Sequence, residues 1–249
     1  AVSLDGKPAD QTHASGDLTV TGDVRKGAEH TLEVSYRGPP PPVADPSHRE
    51  DSAPLGITRT EDGGLWTMQE PYGASTWYAV NDQPADKAYY DVTVHAPAGM
   101  VGISNGELLS RTDDPDGTTT SFRASDPMAS YLSTLAIGAY SATDDVGHDG
   151  TPITYWVPSS GLLGTQAVPM LTDLKQTPDL LAWLEKRLGP YPFETLSMVI
   201  VPSESAMETQ STLTLGYLPE DHAAEVLLHE LAHQCTATWS LPRTGPTSG

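Results

Sequence analysis

The chain has 249 residues, 37% of them apolar, which is enough to bury a core in one large or two smaller domains and argues against a disordered protein. Its 33 acidic and 13 basic residues give a net charge of −20, which excludes a nucleic-acid partner because phosphate binding requires clustered Lys and Arg. No apolar run is long enough for a membrane span, and a single cysteine excludes an internal disulfide framework, so a secreted and a cytoplasmic location both stay open.

The first part of the chain, residues 1–143, has the pattern of a β domain. Residues 30–36 and 90–95 alternate polar and apolar side chains, as half-buried strands do. The pair Asn105-Gly106 lies between two apolar runs and predicts a hairpin turn, since both positions tolerate a positive φ. The prolines of residues 39–42 open a polar stretch that predicts an extended surface loop, with a ligand for a proline-binding domain as the alternative.

Residues 144–249 change to a pattern of helices and strands. Thr177-Pro178-Asp179 predicts the start of a helix with Thr177 as its N-cap, and Gly189-Pro190 predicts its end. The nearly continuous apolar run of residues 196–201 predicts a buried strand. A second helix is predicted over about residues 220–234. We therefore expect a β domain followed by the first part of an α/β domain.

The second helix carries the sequence His229-Glu230-Leu231-Ala232-His233. Residues four apart share a helix face, so both imidazoles can bind one zinc ion, with Glu230 close enough to act as a general base. The alternative is a pair of core histidines with a stray acid, which would leave several buried polar groups in need of partners. Apolar side chains lie on nearly all sides of this helix and predict that it is buried: Val226, Leu227, Leu228, Leu231 and Ala232.

Glu208 lies upstream, directly after the predicted buried strand, in the sequence Ser-Ala-Met-Glu-Thr of residues 205–209. A carboxylate at this place can bind the protonated amine of a peptide, and the edge of a strand can pair with the peptide backbone. Alone this signal is weak, because a single glutamate in a loop is usually a solvated charge.

Together with the HExxH helix, this sequence resembles the aminopeptidase N family of zinc exopeptidases in the gluzincin clan. Residues 205–209 stand where that family has Gly-x-Met-Glu-Asn, and residues 228–234, Leu-His-Glu-Leu-Ala-His-Gln, are similar to its zinc helix. Residues 69–71 and 81–88 are similar to its Gln-x-Glu-Pro … Asp-x-Pro-x-x-Lys-Ala segment, and residues 189–193 match a turn common there. The likeness covers nearly the whole chain up to Gln234.

The resemblance implies an α+β fold. An antiparallel, saddle-like β domain would precede the first part of a thermolysin-like α/β catalytic domain. It also implies one zinc ion, with His229 and His233 as ligands. Glu230 would be the catalytic base and later the proton donor.

For the substrate, the resemblance implies peptides with a free N-terminus. Glu208 would bind the substrate α-amine, with Glu70 as the second carboxylate, and Ala206 and Met207 would line the first substrate pocket. Two carboxylates that hold the ammonium group leave only the first peptide bond within reach of the metal site, so the expected reaction is removal of N-terminal residues.

The chain departs from the family at both ends. The family's third zinc ligand, a glutamate, would lie beyond Gly249, and the β domain lacks the family's first strands. We therefore expect an incomplete chain with weak zinc binding and no useful turnover. Residues 235–249 also do not resemble the family's continuation of the helix.

One lost base after the codon of Gln234 would explain this tail, because the restored frame permits a sequence very like the family's. Resequencing the locus tests this frameshift hypothesis, and an uninterrupted frame that encodes the same tail would refute it.

Two other kinds of function stay open. One is another gluzincin hydrolysis, of internal peptide bonds or of epoxides, which a comparison of free with N-blocked peptides would distinguish. The other is a non-catalytic pseudoenzyme or binding module. The intact Glu230 argues against the second, since a purely structural zinc site needs no base there.

Overall fold

The computed structural model describes residues 1–40, 43–44, 54–70, 72–160, 164, 167–218 and 221–236. In the first half of this part of the chain, the strands are β1 (Val2–Leu4), β2 (Lys7–Pro8), β3 (Asp10–Ala14), β4 (Asp17–Thr21), β5 (Leu32–Val34), β6 (Gly56–Arg59), β7 (Leu65–Met68), β8 (Ala88–Pro97), β9 (Val101–Ser104), β10 (Glu107–Asp114), β11 (Gly117–Met128) and β12 (Leu135–Gly138).

The second half has the strands β13 (Tyr140–Val146), β14 (Pro152–Pro158), β15 (Leu196–Ile200) and β16 (Thr212–Leu215), with the helices α1 (Ala167–Leu174), α2 (Thr177–Leu188) and α3 (Ala223–Thr236). The proline-rich loop lies largely outside the described residues, as does the whole tail from residue 237 onward.

Strands β1–β12 form a β domain of antiparallel sheets. Their orders are β2-β1-β5, β3-β4, β10-β11-β8 and β6-β7-β12-β9. The predicted alternation in residues 90–95 is confirmed within β8, where Val94 is buried and its neighbours Thr93 and His95 are exposed. The strand predicted over residues 30–36 is shorter, because only Leu32–Val34 pairs with β1.

The predicted hairpin at Asn105-Gly106 is wrong. β9 pairs with β12 and β10 pairs with β11, so the strands on either side of this turn belong to different sheets. Gly106 does adopt a positive φ of 89°, and a Cβ there would collide with the backbone of Arg123. Asn105 is only 2% exposed. The turn is therefore an internal crossing between two sheets rather than a surface loop.

Strands β13–β16 and the three helices form a mixed-sheet unit. β13 pairs antiparallel with β14, whereas β14, β15 and β16 are parallel neighbours. The predicted boundary between residues 143 and 144 falls inside β13, which is paired along its full length. The sheet topology thus changes just after β12.

Strand β15 joins the two units, because both of its faces are buried. Met198 and Ile200 pack with the helices, whereas Val199 and Val201 pack against β-domain residues such as Trp66. This explains the continuous apolar run of its sequence, since a parallel strand covered on both sides has no solvent face.

Helix α2 begins and ends where the sequence predicts. Pro178 lies in its first turn with Asp179, and Gly189 ends it at a φ of 97°. The N-cap, however, is Gln176 and not Thr177, whose hydroxyl instead donates to the carbonyl of Leu174 at 2.6 Å. None of the described helices is long and apolar enough to cross a membrane.

Candidate metal and amine-binding site

Helix α3 presents the two motif histidines on one face. The Nε2 atoms of His229 and His233 lie 3.2 Å apart, and the ring centroids are separated by 4.8 Å. Two zinc–nitrogen bonds of about 2.0–2.1 Å at a tetrahedral angle place the nitrogens about 3.3 Å apart. The pair therefore has the spacing that a single zinc ion requires.

The helix is buried on one side only, which corrects the prediction of burial all round. Leu227, Leu231 and Gln234 are buried against the sheet, while both histidines are exposed. Among the described residues, no group of three or more His, Cys, Asp or Glu side chains is arranged to hold a metal ion. Within that part of the chain, the histidine pair supplies two ligand positions.

Glu230 lies between the histidines in sequence but is only 6% exposed. Burial, and after it the negative charges of Glu208 and Glu70, raise the pKa of its carboxyl group to about 7. Glu70 and Glu208 come from different units of the fold, and Glu208 lines a cavity together with His233. The charges of glutamates from both units therefore act on the residue between the two histidines.

Glu208 is held beside the helix by a short stretch of backbone pairing. Met207 forms an antiparallel bridge with Thr214 of β16, with N···O distances of 2.8 and 3.1 Å. Glu208 is half-buried at this sheet edge, and so is Ala206. Thr209, which stands where the family has asparagine, is buried, and its hydroxyl lies 3.0 Å from that of Thr214.

The structure corrects the expectation that the Met207 side chain lines the substrate pocket. Met207 is 1% exposed and packs in the cluster between the two units with Trp66 and Val199. Successive residues of an extended segment point to opposite sides, so a Glu208 that faces the cleft turns Met207 into the core. The buried side chain of Met207 thus anchors the segment to the core.

Glu70 is exposed, and the segment that carries it is anchored through its neighbour Gln69. The buried amide of Gln69 donates to the Ser133 hydroxyl at 2.9 Å and accepts from the indole of Trp77 at 2.5 Å. Pro71, the last residue of the predicted motif, lies outside the described residues. The backbone of the Glu70 segment is thereby fixed beside residues 130–133.

Two residues of the site have no counterpart in the sequence predictions. Tyr131 faces the cleft: burial raises the pKa of its phenol, and so do the charges of Glu208 and Glu70. It also lines a cavity of about 140 Å³ together with Phe193, Glu208 and His233. Only long-range packing brings Tyr131 to this place, so no local sequence pattern could have identified it.

Gln234 is the second such residue. The feature of the sequence that could have indicated it is its position directly after HExxH. Its Nε2 donates to the carbonyl of Glu208 at 2.8 Å, and its Oε1 accepts from the backbone N–H of Ser211 at 2.8 Å. This side chain connects the histidine helix to the segment that carries Glu208.

An antiparallel β domain against a mixed sheet, with paired histidines and a buried glutamate on one helix, is the arrangement of a zinc metallopeptidase. The family model described as Peptidase M1 N-terminal domain matches residues 1–132. The chain belongs to the M1 peptidase family, which confirms the resemblance to the aminopeptidase N family.

The chain is similar to aminopeptidases along most of its length. It is 30% identical over 245 residues to "Aminopeptidase N" of Acetobacter pasteurianus, which covers 90% of this chain and 66% of that protein. It is 25% identical over 250 residues to "Probable aminopeptidase 1" of Saccharolobus solfataricus, with 94% of this chain and 30% of the relative covered. The chain thus spans two thirds or less of these relatives.

Among solved structures, the M1 zinc metallopeptidase from Deinococcus radiodurans matches with a TM-score of 0.78 and 25% identity. The match covers 94% of this chain and 53% of that one. It confirms the α+β fold with its antiparallel β domain, and its description supports zinc as the metal of the family.

Proposed function

We propose that the whole protein is a zinc-dependent aminopeptidase that removes N-terminal residues from peptides. The observation that carries this proposal is the position of Glu208 beside the paired imidazoles of His229 and His233. The carbonyl of Glu208 accepts a hydrogen bond of 2.8 Å from Gln234, the residue after His233, and Glu208 and His233 line one cavity. A hydrolytic site needs a base next to the metal, whereas an exopeptidase also needs a place for a charged amine. Glu230 would meet the first requirement and Glu208 the second.

His229 and His233 would hold the zinc ion, whose third protein ligand we expect downstream in the sequence. The 3.2 Å separation of their Nε2 atoms and their shared exposure fit this role. When bound, zinc supplies a Lewis acid that polarises the peptide carbonyl and makes water more acidic.

Glu230 would move the protons. It stands between the two histidines on helix α3, where its carboxylate would take a proton from the attacking water and return it to the leaving amine.

Glu208 would bind the α-ammonium group of the substrate, with Glu70 as a second negative charge. A charge-assisted hydrogen bond to a carboxylate is stronger than a neutral one, and it holds the chain end in a fixed place. Only the peptide bond next to this ammonium can then lie beside Glu230. Solved relatives are described as bound to L-arginine and to a Tyr-Ser-Ala substrate, both of which carry a free α-amine.

The test compares L-alanine p-nitroanilide with its N-acetyl derivative, with zinc and with a chelator. The whole protein should hydrolyse the free-amine substrate in a zinc-dependent manner and leave the blocked one almost uncleaved. Glu208→Gln should lower kcat/KM for the free-amine substrate by about 100-fold, because the ammonium loses its charged partner. Glu204→Gln is the matched control, since Glu204 is an exposed glutamate of the same stretch.

Equal cleavage of the free and blocked substrates would contradict an exopeptidase and favour another hydrolysis of the same clan. Zinc binding without hydrolysis of either substrate would favour a non-catalytic module.

A further inference from the structure

The side chain of Gln234 connects the metal helix with the segment proposed to bind the amine. It is 2% exposed. Its Nε2 donates to the carbonyls of Glu208 and Thr209, at 2.8 and 3.3 Å, and its Oε1 accepts from the backbone N–H of Ser211 at 2.8 Å. Both donor hydrogens and one acceptor site of the amide are therefore used, all on one short stretch of backbone.

That stretch is a tight turn that needs support from outside. Ser211 has a φ of 59°, a left-handed conformation that is unfavourable for a residue with a Cβ. Its hydroxyl accepts from the backbone N–H of Gly106 at 2.9 Å, and Asn105 donates to the carbonyl of Gln210 at 2.7 Å. The turn is thus held by the β domain on one side and by Gln234 of the helix on the other.

Apolar packing alone does not fix the position of Glu208 relative to the histidines. The buried leucines of α3 stabilise the helix against the sheet, but such contacts have no preferred direction. Before the turn, the backbone of residues 205–209 pairs with β16 through the single bridge at Met207. The directional hydrogen bonds of Gln234 therefore join the two parts that must meet at the substrate.

We propose that Gln234 is a positioning residue, which sets the distance between the ammonium-binding carboxylate of Glu208 and the His229–His233 pair. This inference rests on the proposed function. Its effect is on Glu208 and not on the metal, because the histidines stay on the same rigid helix when the amide is removed. A shift of about 1 Å in a positioning group costs on the order of 100-fold in a precisely oriented site.

The experiment is a calorimetric titration of the zinc-loaded whole protein with L-arginine and, separately, with N-acetyl-L-arginine. Gln234→Met keeps the length of the side chain but removes all three hydrogen bonds. Gln234→Asn keeps the amide but shortens it by one methylene, so it cannot reach both sides of the turn. The control is Gln176→Met, the same replacement at an exposed glutamine before helix α2 whose side chain makes no capping hydrogen bond.

We expect Gln234→Met to weaken L-arginine binding by at least about 10-fold, with weak binding of the blocked ligand unchanged and zinc affinity within about twofold of wild type. Gln234→Asn should lie between wild type and Gln234→Met, and Gln176→Met should stay within about twofold of wild type. A merely structural role would instead lower the binding of zinc and of both ligands together. L-arginine binding within twofold of wild type in folded Gln234→Met would overturn the proposal.

Hydrogen exchange of the Ser211 amide gives an independent readout if the methionine variant does not fold. The amide should be protected in the wild-type protein and lose protection in Gln234→Asn. A Ser211 amide that exchanges as fast in wild type as the amide of exposed Glu204 would refute the contact itself. If wild type binds both forms of arginine equally well, the proposed function fails, whereas the exchange measurement still decides whether Gln234 holds the turn.

Discussion

Replacing Asn105 by alanine should destabilise the protein far more than the same replacement in an exposed turn. Its Nδ2 donates to the carbonyls of Leu132 and Gln210, at 3.0 and 2.7 Å, and its Oδ1 accepts from the N–H of Thr134 at 2.6 Å. In Asn105→Ala the two carbonyls keep other donors, the N–H of Gln210 and the hydroxyl of Ser211. The N–H of Thr134 loses this acceptor within the protein interior.

The expected cost follows from these contacts. An orphaned buried N–H costs about 1–3 kcal/mol, and each of the two lost donor bonds about 1 kcal/mol, so we expect a loss of about 3–5 kcal/mol in the free energy of unfolding. The assay is urea unfolding followed by circular dichroism and by tryptophan fluorescence, which also shows whether the two units unfold together.

Asn81→Ala is the matched control, because Asn81 is exposed and its side-chain amide donates to exposed Asp86, so the loss of this amide should cost about 0.5 kcal/mol or less. If Asn105→Ala lowers the free energy of unfolding by less than about 1 kcal/mol, the hydrogen bonds of Asn105 do not stabilise the contact between the two units.

Three further predictions concern the metal, the base and a buried turn. His233→Ala should weaken zinc binding by at least about 10-fold in a calorimetric titration, whereas His222→Ala, a change at an exposed histidine just before helix α3, should not. Glu230→Gln should lower kcat by about 100-fold or more with zinc affinity retained; a kcat within tenfold of wild type would exclude it as the base. Burial raises the pKa of Asp82, but hydrogen bonds from donors such as Ser130 outweigh it and hold the pKa below its usual value. The stability that Asp82 adds over Asp82→Asn should therefore persist above about pH 5 and disappear as the pH falls through the lowered pKa, and urea unfolding at several pH values checks this.

Local signals predicted those parts of the fold in which neighbours in sequence decide the structure. Helix α2 begins and ends at its proline and glycine signals, since φ and hydrogen-bond constraints at these residues act within one turn. The Asn105-Gly106 prediction failed for the opposite reason. The positive φ was correct, but which strands pair is decided by partners far along the chain, and these place the two flanking strands in different sheets.

The same distinction holds for the site. The spacing of His229 and His233 predicts a shared helix face, because the period of the helix fixes it. The direction in which α3 faces the sheet depends on the packing of the whole unit, so its apolar composition wrongly suggested burial on all sides. Gln234 and Tyr131 contact residues that are distant in sequence, and no periodic pattern connects them to Glu208.

The most direct test of the account is a crystal structure of the protein with zinc and L-arginine, with an anomalous map at the zinc edge. We predict a zinc peak about 2.0–2.1 Å from the Nε2 atoms of both His229 and His233, and the ligand ammonium within hydrogen-bond distance of the Glu208 carboxylate. A zinc peak away from the histidine pair, or an arginine whose ammonium lies away from Glu208, would contradict the proposed aminopeptidase site.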